Sequence, residues 1–121
     1  MTVINLINVS SITPSTKVGA VTTSRATIVQ PAANKCAKIN SLLIANIDGT
    51  NAADVTVEVS DNNGSSYFAI ASTVSVPADA TLVVVGKDNG FYLDETDILA
   101  VTASAASDLT YLVSFELMDD A

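Results

Sequence analysis

The chain has no histidine and no tryptophan, a single cysteine, and not one acidic residue before Asp48. Without histidine it lacks the usual general base at neutral pH, and the Cys/His ligand sets of zinc sites cannot be assembled. Most hydrolytic schemes fall with them. Cys36 has no second cysteine to pair with inside the chain, so it reads as a small core-facing residue and the compartment as a reducing one. Neither a GxxxxGK[ST] phosphate loop nor a GxGxxG fingerprint occurs, and no cofactor is expected. No apolar run approaches the ~20 residues of a membrane helix. The apolar segment 3–9 is not preceded by a basic region, since the first cation is Lys17, so neither a cleaved signal peptide nor a membrane partner is expected. Nor is a nucleic acid, because the lysines and arginine form no clustered stripe.

What the chain does have is a polarised charge. Lys17, Arg25, Lys35 and Lys38 lie before Asp48, while all 13 acids, of which Asp48 is the first, occupy the remainder with Lys87, for a net charge of −8. Two such halves attract opposite partners, including each other or a neighbouring copy. Charged residues are only 15% of the chain, against about 25% in ordinary domains. The mean hydropathy is nonetheless +0.43, which implies apolar surface destined for another subunit. With aromatics at 5%, the core must be built from Val, Ile, Leu and Ala, and 121 residues suffice for one domain.

The clearest periodicity is two. Val55, Val57 and Val59 alternate with Thr56, Glu58 and Ser60, which defines a half-buried strand. Leu109, Tyr111, Val113, Phe115 and Leu117 repeat the pattern, with Thr110, Ser114 and Glu116 on the other face. Residues 39–47 and 82–85 are apolar on both faces, as central strands of a packed or oligomeric sheet would be. Turn signals separate the runs: Asp48-Gly49-Thr50-Asn51, Asp61-Asn62-Asn63-Gly64, Pro77-Ala78-Asp79, Asp88-Asn89-Gly90 and Asp94-Glu95-Thr96-Asp97. Strands are expected near 17–23, 25–30, 36–47, 54–60, 65–71, 73–76, 80–86, 97–103 and 108–118. No window carries a capped 3.6-residue stripe. The expected fold is all-β, a single-domain antiparallel β-sandwich, jelly-roll-like.

Residues 1–16 differ from the rest, with an apolar stretch and then Ser10-Ser11-Ile12-Thr13-Pro14-Ser15. They read equally as an N-terminal arm that adds to a sheet edge, its own or a neighbour's, or as a first strand with its linker; the sandwich domain is placed at 17–121. Ile4, Leu6 and Ile7 are the candidate arm anchors. Lys17, Arg25 and Lys35 are the candidate charged contacts. The carboxylates Asp88, Asp94, Glu95 and Asp97 fall in turns without a sugar-stacking Trp, so they read as solvated turn residues rather than a glycosidase pair. The oxygen-rich turns at 61–64 and 94–97 lack the spaced ligand ladder of an EF-hand and read as plain turns rather than calcium loops. No catalytic, cofactor or metal residue is assigned.

The run 38–57, Lys38-Ile39-Asn40-Ser41-Leu42-Leu43-Ile44-Ala45-Asn46-Ile47-Asp48-Gly49-Thr50-Asn51-Ala52-Ala53-Asp54-Val55-Thr56-Val57, resembles small structural proteins in virions of tailed bacteriophages, notably those of cyanobacteria and other aquatic bacteria. Residues 76–85, 92–99, 102–105 and 108–109 continue the resemblance in order, over roughly residues 36–118. It implies a noncatalytic β-domain of the virion, assembled in the host cytoplasm. The expected role is a capsid decoration (cement) protein that binds the major capsid protein or other virion subunits, as a homotrimer. Neck, tail or baseplate subunits reuse such sandwiches and form the structural alternative. A host-adhesion or glycan-binding domain using Tyr67, Phe68, Phe91 and Tyr92 is the functional one.

Overall fold

Residues 4–120 are described by the computed structural model. Among these residues, nine strands make two antiparallel sheets: β1 (Val9–Ala20), β2 (Ala26–Val29), β3 (Lys35–Asn46), β4 (Ala53–Ser60), β5 (Phe68–Val76), β6 (Thr81–Val85), β7 (Phe91–Leu93), β8 (Ile98–Ala103) and β9 (Leu109–Asp120). One sheet has the order β1-β9-β3-β6, with β7 also paired to β3; the other has the order β2-β8-β4-β5. The pairing is nested. First joins last, second joins second-to-last, and the innermost hairpin is β4 with β5. The fold is the all-β antiparallel sandwich that the alternating sequence predicts, and the described residues contain no α-helix, only three-residue 3₁₀ turns at Leu6–Asn8 and Lys87–Asn89.

Alternation decides which side chains enter the core. Val55, Val57, Leu99, Val101, Leu109 and Val113 point between the sheets and are at most 1% exposed. In β3 the phase changes once. The β3–β9 register slips between Ile39 and Ser41, so that Ile39 and Leu42, three apart, both point inward. Such a bulge gives one strand an extra residue and re-aims the side chains beyond it. It lies hidden inside a run that is apolar on both faces.

Three elements differ from expectation. The first strand begins at Val9 rather than residue 17, and the boundary placed at 16/17 falls inside it, because β1 pairs with β9 from Val9↔Asp120 to Ala20↔Thr110. A Ser/Thr-rich segment serves here because an edge strand needs only one hydrogen-bonded side and one packed face. Pro14, which has no amide hydrogen, is tolerated on such an edge. The strands expected at 65–71 and 73–76 are one strand, β5, joined through a bulge: Val55 faces Val74 while Val57 faces Ala71. Thr73 takes a φ of 46° there, and its amide donates to Thr56 Oγ1 at 3.0 Å. The third is β7, too short to announce itself. It covers the N-terminal half of β3 while β6 covers the other half. Gly90 makes this possible, since a Cβ there would lie 2.7 Å from the Ile39 carbonyl oxygen.

The sheets are tied at one end by a buried side chain. Asn46, 3% exposed at the end of β3, donates from Nδ2 to the carbonyls of Asn51 (3.0 Å) and Val76 (2.9 Å), and its Oδ1 accepts from the Asp48 amide (2.8 Å). Asp48 then turns the chain. Its Oδ1 accepts from the amides of Thr50 and Asn51, which hold the carboxyl below its ordinary pKa.

Candidate interaction surfaces

The N-terminal segment folds back on its own chain before it offers anything to another. Asn5 caps the first 3₁₀ turn by accepting from the Ile7 amide at 3.1 Å. Ile4 is buried in a small cluster with Cys36 and Met118, against which Val9 packs. Cys36 is therefore covered, as its sequence suggested, but by this segment on the outer side of the β1-β9-β3 sheet rather than in the main core. Burial raises its thiol pKa, with the charge of Asp94 acting in the same direction. Leu6 and Ile7 face outward, at 47% and 96% exposure. Of the three candidate anchors, one is seated within the chain and two are presented to solvent.

The three candidate cations are each engaged internally. Lys17 Nζ donates to the Ile28 carbonyl at 2.8 Å. Arg25 grips Glu58 through two hydrogen bonds, at 3.0 and 3.2 Å, and lies 3.8 Å from the centre of the Tyr67 ring. Lys35 pairs with Asp119, whose carboxyl is held below its usual range first by Lys35 and then by the Ser11 hydroxyl. The charge split along the chain is thus partly closed within one molecule. The basic first third folds onto the acidic remainder.

Two seams remain where the sheets part. Between β1 and β2, a cleft of ≈ 300 Å³ is lined by Ile28, Phe115 and Leu117, with Lys17 and Lys35 among its walls. On the opposite side, between β5 and the β6–β7 edge, a cleft of ≈ 380 Å³ is lined by Val59, Ile70, Val84 and Phe91. Both are apolar troughs suited to receiving side chains. The four aromatics do not form one platform: Tyr67 is stacked under Arg25, Phe68 is 68% exposed on β5, Phe91 packs inward from β7, and Tyr92 turns to the opposite face.

The acidic turns approach each other without building a cation site. Gln30 Nε2 bridges Asn63 Oδ1 (2.9 Å) and the Thr96 carbonyl (3.1 Å). Glu95 is spent on the Asn34 amide at 2.7 Å. Among the described residues, no three His, Cys, Asp or Glu side chains converge to hold a metal. Asp97 is 8% exposed; its Oδ2 accepts from the Asp94 amide at 2.9 Å, while Oδ1 has no hydrogen-bond partner. Burial pushes its carboxyl pKa up, the Asp94 amide pulls it partly back, and the charges of Asp94 and Asp61 push it up again. A carboxyl raised in the folded state costs stability above its folded pKa, and that cost vanishes as pH falls to the unfolded value of about 3.9. Asp97→Asn is therefore expected to be at least as stable as the parent in urea melts at pH 7. The parent should regain ground on the variant as pH falls below 5; a gap that widens in acid would contradict this.

The class defined by fold and surface is a small antiparallel β-sandwich with apolar side chains left outside. No protein-family model matches the chain, and no curated protein matches it. Among solved structures, a Bacillus endospore appendage protein, from a family of disulfide-linked pili, is similar at 13% identity. The match covers 92% of this chain and 88% of that one, with a TM-score of 0.55. A pentameric capsid protein isolated from metagenomic phage sequences is 19% identical, with TM-scores of 0.39 and 0.41 in two crystal structures. The alignment takes in 97% of this chain but 64–65% of the capsid proteins, so the chain spans a little under two thirds of their length. At 13% identity the likeness to the appendage protein is one of fold, the sandwich itself.

Proposed function

We propose that the chain is a noncatalytic structural subunit of a tailed-phage virion, a capsid decoration protein that binds and stabilises the major capsid lattice. The observation that carries this reading is the exposure of large apolar side chains on separate sides of a tightly cored domain: Ile7 at 96%, Val18 at 70%, Phe68 at 68% and Ile47 at 61%. Isolated apolar residues are ordinary on a protein surface, but Val18 lies opposite Leu112 and Leu112 opposite Leu43, and a contiguous exposed apolar face marks a contact with another protein. The nested strand order, with two four-strand paths of alternating connection, supports a jelly roll, an architecture that recurs in viral capsid domains. The sequence resemblance over residues 36–118 points to the same class. Charge chiefly steers such docking and fixes register, while apolar burial provides most of the affinity.

Leu6 and Ile7 are the contacts offered by the N-terminal segment, which is confined to the residues before Val9. The Leu6→Ser/Ile7→Ser double variant should keep the parent's melting temperature within a few degrees, because both residues are exposed. Its occupancy on shells lacking the protein should fall by about tenfold or more, as loss of a buried hydrophobic contact implies. Wild-type protein should saturate those shells at hundreds of copies and raise their melting temperature. A handful of copies per particle would indicate a neck or tail subunit instead, and glycan binding without shell binding would indicate an adhesion domain.

A further inference from the structure

The outward face of the β1-β9-β3-β6 sheet carries a register-aligned aliphatic row. Val18 lies opposite Leu112, Leu112 opposite Leu43, and Leu43 opposite Val83, so four strands contribute one aliphatic residue each at the same level. Val18 and Val83 are 70% and 58% exposed, and Leu43 and Leu112 are half-buried. A shallow depression of ≈ 510 Å³ is lined by Val18, Leu112 and Leu43 of this row together with Ala45, Thr81 and Thr110. Its flanks are small: Ala45 and Thr110 face each other on one side, Ser41 and Ser114 on the other. In a chain of net charge −8 these three levels hold no charged residue at all. One level beyond Ser41 and Ser114 sits a single pair of opposite charges, Lys38 opposite Glu116, with Pro14 and Tyr92 at its two ends. Asn40 Nδ2 holds Glu116 Oε1 at 3.1 Å.

The pattern is symmetric about a line running between β9 and β3. Rotating a second copy by 180° about that line, and laying it face to face, sets each level against the same level with left and right exchanged. Leu112 then meets the second copy's Leu43, and Val18 meets its Val83. Lys38 meets Glu116 in both directions, and Pro14 meets Tyr92. Small residues above and below the row let two sheets approach to the ~10 Å of face-to-face packing. Four strands ~4.8 Å apart, over about nine residues at ~3.4 Å each, give a face of roughly 19 × 30 Å. With side-chain relief, this approaches the ~800 Å² per partner of a stable interface. A uniformly acidic surface would repel its copy; here the charges present are self-complementary, as an isologous contact requires.

We infer that this sheet face is a homodimer interface in which the Val18-Leu112-Leu43-Val83 row of one chain packs on the same row of a second copy about a two-fold axis. The inference stands apart from the virion reading, because it is tested on the purified chain without particles. By sedimentation or light scattering, the wild-type chain should be a dimer at micromolar concentration. Leu43→Glu should weaken dimerisation by at least about 100-fold, the effect of losing a central buried anchor and burying a charge. Its far-ultraviolet dichroism and melting should remain those of a folded monomer. Because Leu43→Glu also changes the half-buried surface, a charge exchange provides the second test. Lys38→Glu alone and Glu116→Lys alone should each weaken the dimer, and the double exchange should restore it. A wild-type monomer, a trimer, or a dimer indifferent to both Leu43→Glu and the single charge changes would overturn the inference.

Discussion

Asn46→Asp should be among the most damaging single-atom-scale changes this chain can suffer, costing on the order of 3 kcal/mol or more at pH 7. The side-chain nitrogen of Asn46 donates to two main-chain carbonyls, those of Asn51 and Val76, the second of which belongs to the opposite sheet. A carboxylate keeps the acceptor that serves the Asp48 amide but turns an oxygen toward both carbonyls, in a site 3% exposed. Two buried acceptors lose their donor, and a buried charge faces them. The new carboxyl would carry a folded pKa above its unfolded value, so the penalty is complete at neutral pH and fades as pH approaches about 4. Urea unfolding of both proteins at pH 7 and about pH 4.5 reads this directly. A variant equally destabilised at both values would show that lost geometry, not charge, dominates.

Leu42→Ala is expected to cost about 2–5 kcal/mol, whereas Leu43→Ala, its neighbour, should cost under about 1 kcal/mol in the isolated monomer. The two differ only in the side of the sheet they face. Leu42 is 0% exposed between Val113 and Val85 on the adjoining strands, in a core that cannot collapse around a missing isobutyl group without moving both sheets. Leu43 lies on the outward row. Thermal melts at low protein concentration separate the pair. If they cost the same, the facing assigned after the Asn40 bulge is wrong.

That bulge also marks where the sequence stops being readable. In 55–58 and 109–117 the inward side chains recur at every second residue, and there period two places the apolar row on the core face, although Ser60 at the end of β4 is fully buried and Leu112 is an apolar side chain on the outer face. From Ile39 to Ile47 both faces are apolar, so nothing local reveals that the inward phase passes from Ile39 to Leu42. Segment 9–16 looks like a linker because its pairing with β9 is made by backbone groups, which composition does not record. Lys17 reads as free to meet a neighbour because its partner is a main-chain carbonyl, that of Ile28, and Arg25 and Lys35 because their partners lie far along the chain. Glu58 is 33 residues from Arg25, and Asp119 is 84 from Lys35. The aliphatic row on the outer sheet is invisible for the same reason. Its members come from four strands and align only through the register, although the two-sided apolarity of 39–47 already indicated that something must cover the second side.

The position of β9 has a consequence for how the molecule comes into being. Residues 109–120 lie between β1 and β3, so one of the two sheets has its middle strand supplied last. Until that segment is available, the edges of β1 and β3 that it joins are unpaired, and the core side of this sheet is open to water and to other nascent chains there. Closure of this sheet therefore waits for residues 109–120 and makes contacts of long sequence separation, which sets a timescale of milliseconds to seconds rather than microseconds. A chain halted just short of residue 109 is accordingly expected to aggregate where the chain through residue 120 does not.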